Sequence, residues 1–157
     1  MSRERKEPGG RPWILIGTDF SRPAQQALKY ALTVARERDA ALLVLHVIDG
    51  HALPELARLA EVPERTLRDR LGRERRQKLT EAIKEADDGQ GEVALEPLIA
   101  WGRPFEEILK KAAEIPAVLI VLGTAGHSAD LEKVLFGSTA EKVLRSAPCP
   151  VLCVPLE

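Results

Sequence analysis

Short unbroken apolar runs along this chain alternate with longer segments whose apolar residues recur every three or four positions. Residues 13–18 (Trp-Ile-Leu-Ile-Gly-Thr), 42–48, 117–122 and 151–154 are the unbroken runs. Runs of this length, bounded by turn residues, read as strands buried on both faces. Residues 93–99 alternate only in part and carry Pro97, which has no N–H to give a ladder, so they read as an edge strand.

The intervening segments read as helices. In residues 24–38, Ala24, Ala27, Leu28, Ala31, Leu32 and Ala35 fall on one stripe, with Ser21 as N-cap and Pro23 in the first turn. The alanines let this helix lie close on a sheet. Residues 64–86 are highly charged, with a broken stripe of Leu67, Leu71, Leu79, Ala82, Ile83 and Ala86. Pro104 starts a third helix with Phe105, Ile108, Leu109, Ala112 and Ala113 inward, and Pro148 ends a fourth that begins near Gly137-Ser138-Thr139. Residues 51–63 read as a loop with a short helix, and Trp101-Gly102-Arg103-Pro104 as a loop.

Strand and helix in repeated alternation predict an α/β fold: one five-stranded parallel sheet of Rossmann-like type, helices on both faces, right-handed crossovers. In the order 3-2-1-4-5, ligands bind beyond the C-terminal strand ends, where the order reverses. That brings together Asp19 after the first strand, Val47 at the end of the second and the glycine loop after the fourth. The loop opens with Gly123-Thr-Ala-Gly126 and closes with Gly137-Ser138-Thr139 at a helix start. Glycines let the chain turn sharply and let a ligand approach the backbone, and a helix N-terminus presents unpaired N–H groups to an anion, most often phosphate. A β-branched residue at Gly126 or Gly137 is expected to fill the phosphate space and to resist positive φ. The spacing is neither Gly-x-Gly-x-x-Gly nor a P-loop, since no Gly-Lys-Ser/Thr follows.

Composition narrows the function classes. The chain has 157 residues and a net charge of −1, which gives no overall basic field to draw in nucleic acid. The arginines of residues 65–76 are interleaved with acids and few aromatics accompany them, so a solvated helix face is expected. No apolar run reaches membrane-spanning length and no signal-peptide core is present, which points to the cytoplasm. Residues 1–12 are charged and rich in Gly and Pro and read as a mobile arm before a domain over residues 13–157. Cys149 and Cys153, about 13 Å apart in an extended strand, read as packed thiols. His46, inside an apolar run, reads as a core histidine.

Thr18-Asp-Phe-Ser21, Leu45-His-Val-Ile-Asp49, Gly102-Arg-Pro104, the two glycine clusters and Ala147-Pro-Cys-Pro-Val151 together resemble the universal stress protein family, over about residues 12–156. The resemblance is to the members that keep the glycine motif. It implies a domain of the adenine nucleotide alpha hydrolase-like fold that binds ATP or a related adenine nucleotide. It places Gly17, Asp19, Val47, Leu122, Gly123, Gly126, Gly137, Ser138, Thr139 and Ala140 around that ligand. Asp19 would lie near the ribose, the phosphates or their Mg²⁺, Val47 would offer its backbone to adenine, and Leu122 would pack the nucleoside. The stretch between Gly126 and Gly137 is one residue longer than the family's usual spacing, and His127, Asp130 and Glu132 lie within it. Ala140 lacks a hydroxyl that some relatives have there. The resemblance also implies a homodimer, through the apolar edge strand Val151–Val154, acting in stress response or signalling. The alternatives are a slow ATP hydrolase or nucleotidyl-transfer enzyme, with His127 the only candidate base in the loop, and a structural dimer with an empty site.

Overall fold

The structure, a computed structural model, describes residues 8–124 and 137–156. Its strands are β1 (Trp13–Gly17), β2 (Ala41–Ile48), β3 (Leu95–Trp101), β4 (Leu119–Gly123) and β5 (Val151–Val154). Its helices are α1 (Arg22–Glu37), α2 (Leu53–Leu59), α3 (Glu64–Ala86), α4 (Pro104–Glu114) and α5 (Ser138–Ser146). The strands form one parallel sheet in the order β3-β2-β1-β4-β5, as the alternation of elements predicts.

Side chains of successive strand residues point to opposite faces, and each face has its own core. Ile14, Ile16, Leu42, Val44 and Val121 pack under α1 and α3, joined by Leu28, Ala31 and Leu79. Leu15, Leu43, Leu45 and Ile120 pack on the other side with Ile108 and Ala112 of α4 and Ala140 and Val143 of α5. The run without polar residues in β1 is buried at every position, because both faces are covered. The alanine stripe of α1 lies fully inside, so small side chains set the close approach of that helix.

The end of β3 differs from the sequence reading. β3 ends at Trp101, which had been expected in a loop. β2 runs on to Ile48, Ile48 pairs with Trp101, and Gly102 N–H donates to the Ile48 carbonyl at 3.0 Å, so the ladder extends to the last β2 residue. Gly102 then stops the strand at φ 146°, in the region that favours glycine. The short helix expected within residues 51–63 is α2, with Leu53 and Ala57 buried and Leu59 exposed.

Of the expected N-terminal arm, residues 1–7 lie outside the described residues. Pro8–Gly10 form a short turn, Arg11 pairs with Asp39 at 2.9 Å, and the Pro12 carbonyl accepts from Ala41 N–H at 2.9 Å. Among the described residues, no helix is long and apolar enough to cross a membrane.

Candidate nucleotide site at the strand ends

β1 lies in the middle of the sheet and stops early. Its last register partner on β2 is Leu45, opposite Gly17, while β2 continues to Ile48. Thr18 N–H donates to the Leu45 carbonyl at 2.9 Å, so the polar groups of Leu45 face β1. Alternation turns those of Val47 to the same side, past the last β1 residue of that register. β4 flanks β1 on the other side and ends at Gly123, level with this opening. The chain leaves β1 for α1 on one face and β4 for α5 on the other, the reversal at which open α/β sheets form a crevice beyond the C-terminal strand ends.

The turn that leaves β1 is held bond by bond. Phe20 N–H donates to Thr18 Oγ1 at 3.1 Å and Ser21 N–H to Asp19 Oδ1 at 2.9 Å. Ser21 caps α1 by accepting from Ala24 N–H at 3.3 Å, as its position before Pro23 predicts. Phe20 has φ 66°, in the left-handed region that a bulky residue seldom adopts. The turn leaves the Asp19 side chain exposed at the mouth of the crevice, beside the end of β1.

His46 lies below this turn and is 5% exposed. Its Nδ1 is 2.8 Å from the Thr18 carbonyl, which can only accept, so Nδ1 carries the proton. Its Nε2 is buried without a hydrogen-bond partner. Burial lowers the His46 pKa from the ordinary histidine value, against the Thr18 hydrogen bond, which raises it. The Phe20 ring packs on the imidazole at 4.3 Å between centroids, and Lys78 of α3 sits 4.8 Å from the centre of the Phe20 ring. Neutral His46 is therefore a brace for the end of β1, in keeping with the core role its apolar surroundings suggest.

The glycines divide into different roles. A Cβ on Gly123 would lie 2.8 Å from both C and O of Pro23 and 3.0 Å from Ala24 N, so glycine lets β4 meet the first turn of α1. A Cβ on Gly17 would meet only side-chain tips, Ile108 Cδ1 at 3.0 Å and Leu122 Cδ2 at 3.1 Å. Gly137, the N-cap of α5, has φ −65° and ψ 159°, which any residue adopts, so the positive φ expected there is absent. Its N–H donates to the Thr124 carbonyl. The N–H groups of Ser138, Thr139 and Ala140, in the first turn of α5, lack intrahelical acceptors by position. Leu122 is buried in the core under α4 and α5, and Val47 is half-buried. Gly126 and the residues His127, Asp130 and Glu132 lie outside the described residues.

Sequence reasoning brought Asp19, Val47 and Gly123 to one end of the sheet, and the strand order does the same. It missed the packing duty of Gly123 and the strained Phe20. Neither leaves a local sign, since the first depends on the approach of α1 and the second on a backbone angle.

The chain belongs to the universal stress protein family, whose profile matches residues 13–155. It is 36% identical over 141 residues to a universal stress protein of Methanocaldococcus jannaschii, covering 90% of this chain and 80% of that one. Its fold resembles the solved structure of a hypothetical protein whose biochemical function was assigned from structure. There the TM-score is 0.75 at 30% identity, with 92% of this chain and 96% of the other covered. A universal stress protein crystallised with cAMP shares the fold at TM-score 0.61 and 24% identity, covering 92% and 97% of the two chains.

Proposed function

We propose that this protein binds an adenine nucleotide, ATP or a close relative, in the crevice at the ends of β1, β2 and β4, and uses its occupancy to alter homodimer or partner contacts in a stress response. The observation that carries the reading is the stagger of the sheet. β1 stops beside Leu45, while β2 carries the backbone of Val47 beyond it, where an adenine edge can exchange hydrogen bonds with main-chain groups. The exposed Asp19 stands at the same end, next to that opening. The first turn of α5 adds N–H donors and the positive end of a helix dipole, which favour phosphate. The fold accommodates cAMP in a distant relative, which supports an adenine ligand.

Mg²⁺ would arrive with the phosphates. Among the described residues, no group of three or more His, Cys, Asp or Glu side chains is arranged to hold a metal. One carboxylate at a phosphate site suits Mg²⁺, which keeps waters and takes phosphate oxygens for the rest of its octahedron. Asp19 is that carboxylate, and a bound Mg²⁺ would supply charge neutralisation for the phosphates. His46 is poorly placed as a general base, because its Nδ1 serves Thr18 and its Nε2 is buried.

The test is mass measurement of any small molecule retained by the purified protein, followed by calorimetric titration of the stripped protein with ATP. Retained adenine nucleotide, or saturable ATP binding with one site per chain, is the expected result. A stripped, folded protein that takes up no ATP, ADP, AMP or cAMP at millimolar concentration overturns the reading.

A further inference from the structure

Among the described residues, no strand pairs with the outer edge of β3. There β3 pairs only with β2, so half of its backbone polar groups face away from the described sheet. The first half of α3 passes above this edge, and a groove of about 450 Å³ lies between them. Ile99 and Trp101 form its floor, and Arg68, Arg73 and Arg76 stand along its wall with one acid, Asp69. Among the described residues, none of these three guanidinium groups takes part in an ion pair. A Cβ on Gly72 would lie 3.9 Å from Trp101, an ordinary contact, so the indole packs under the helix without needing glycine there. The Arg68 guanidinium stacks 4.4 Å from the centre of the Trp101 ring. Stacking holds its planar fork in one orientation, which reduces the entropy lost when it takes a carboxylate.

We propose that this groove binds a short acidic segment of a partner protein in extended conformation, with carboxylates at alternate positions meeting Arg68, Arg73 and Arg76. The spacing carries the argument. Along a helix, Arg73 is about 7.5 Å and Arg76 about 12 Å from Arg68. Side chains on one face of an extended peptide recur about every 6.6 Å, so positions i, i+2 and i+4 span about 13 Å. The open edge beneath supplies main-chain hydrogen bonds at Ile99 and Trp101. Pro97 has no N–H, which confines this pairing to the C-terminal end of β3 and keeps the segment short. Nucleic acid fits less well, because Trp101, the one aromatic ring lining the groove among the described residues, already has Arg68 on one face. This surface is separate from the nucleotide crevice, and its test does not depend on that reading.

The test uses the full chain and three fluorescent probes: a short Glu-Thr-Glu-Thr-Glu peptide, a peptide of the same composition with the glutamates contiguous, and a short oligothymidylate. Anisotropy at low salt is expected to show saturable binding of the alternating peptide, with a change in Trp101 fluorescence. Arg73→Glu and Arg76→Glu should each weaken it about tenfold, the loss of one charge-assisted pair. Both residues are exposed, so circular dichroism should be unchanged. Trp101→Leu, which removes the platform under Arg68, should weaken the same peptide by a smaller factor. Failure of the alternating peptide to bind at millimolar concentration overturns the proposal. So does equal binding of the contiguous peptide, tighter binding of the oligonucleotide, or full affinity in both charge-reversed variants.

Discussion

Replacing Gly123 by alanine tests whether the end of β4 is shaped by packing. The new Cβ would sit 2.8 Å from Pro23 C and O and 3.0 Å from Ala24 N. Carbon atoms in ordinary contact lie about 3.5–4.0 Å apart, so the gap must widen by roughly 0.5–1 Å. Every atom in the way is main chain, at the first turn of α1, which Ser21 caps from the turn that carries Asp19. Relief therefore means displacing the helix start. Overpacking of this kind costs about 1–3 kcal/mol, and a main-chain clash belongs at the upper end.

Gly17→Ala is the matched control. Its Cβ meets Ile108 Cδ1 at 3.0 Å and Leu122 Cδ2 at 3.1 Å, and both tips can swing aside within their rotamer wells. A cost of about 1 kcal/mol is expected. Urea denaturation, followed by circular dichroism, measures both variants. Gly123→Ala should lose about 2 kcal/mol more than Gly17→Ala, with the m-value unchanged. If Gly123→Ala is as stable as the unmutated chain while ATP binding disappears, glycine is there for the ligand, and the packing account is refuted.

Three further outcomes follow from the same structure. Asp19→Ala should weaken ATP binding more with Mg²⁺ than without it, and calorimetry showing equal losses would assign Asp19 to the sugar or to its Ser21 turn alone. The largely apolar edge of β5, unpaired among the described residues, should pair with its copy across a two-fold axis, so sedimentation should show a dimer that Leu152→Lys converts to a monomer; a monomeric unmutated chain at micromolar concentration refutes this. His46 has a folded-state pKa below its unfolded one, so the unfolded chain takes up the proton first. The His46 contribution is thus complete above about pH 6.5 and falls as pH drops below it, by up to about 1.4 kcal/mol per pH unit. The groups facing His46 (Arg75, Asp19 and Lys78) remain in a His46→Gln variant, whose stability should vary less between pH 7 and 5 by calorimetric melting; an unchanged pH profile would show that His46 does not carry this dependence.

The sheet was legible because burial on both faces removes nearly all polar residues from a strand. β1, β2 and β4 sit at the centre of the sheet and read as apolar runs in which His46 is the one polar residue, and strand–helix alternation makes the sheet they form parallel. β3 was less legible at its end. It is half-buried throughout, and its last pair, Ile48 with Trp101, is fixed by the length of a partner strand. Asp19 was legible as the polar residue that breaks an apolar run where a chain must turn. The basic groove was not. The arginines of α3 alternate with acids in sequence, and only the helix surface gathers Arg68, Arg73 and Arg76 against Trp101.

The turn from β1 to α1 would hold the proposed site in shape before nucleotide arrives. Its polar groups have local partners: Thr18 N–H on Leu45, the Thr18 carbonyl on His46, Phe20 N–H on Thr18 Oγ1, and Ser21 N–H on Asp19. The Ser21 carbonyl accepts from Gln25 N–H at 2.9 Å, which begins the α1 ladder. A backbone angle as costly as that of Phe20 persists only where neighbours over-determine it, and here the ring is held between His46 and Lys78. The Asp19 carboxylate is thus oriented by a backbone bond at one oxygen, on a segment anchored in the core. Such a group loses little freedom when it meets a cation or a ribose hydroxyl, so the strain at Phe20 is offset by the core and the orientation is available to binding.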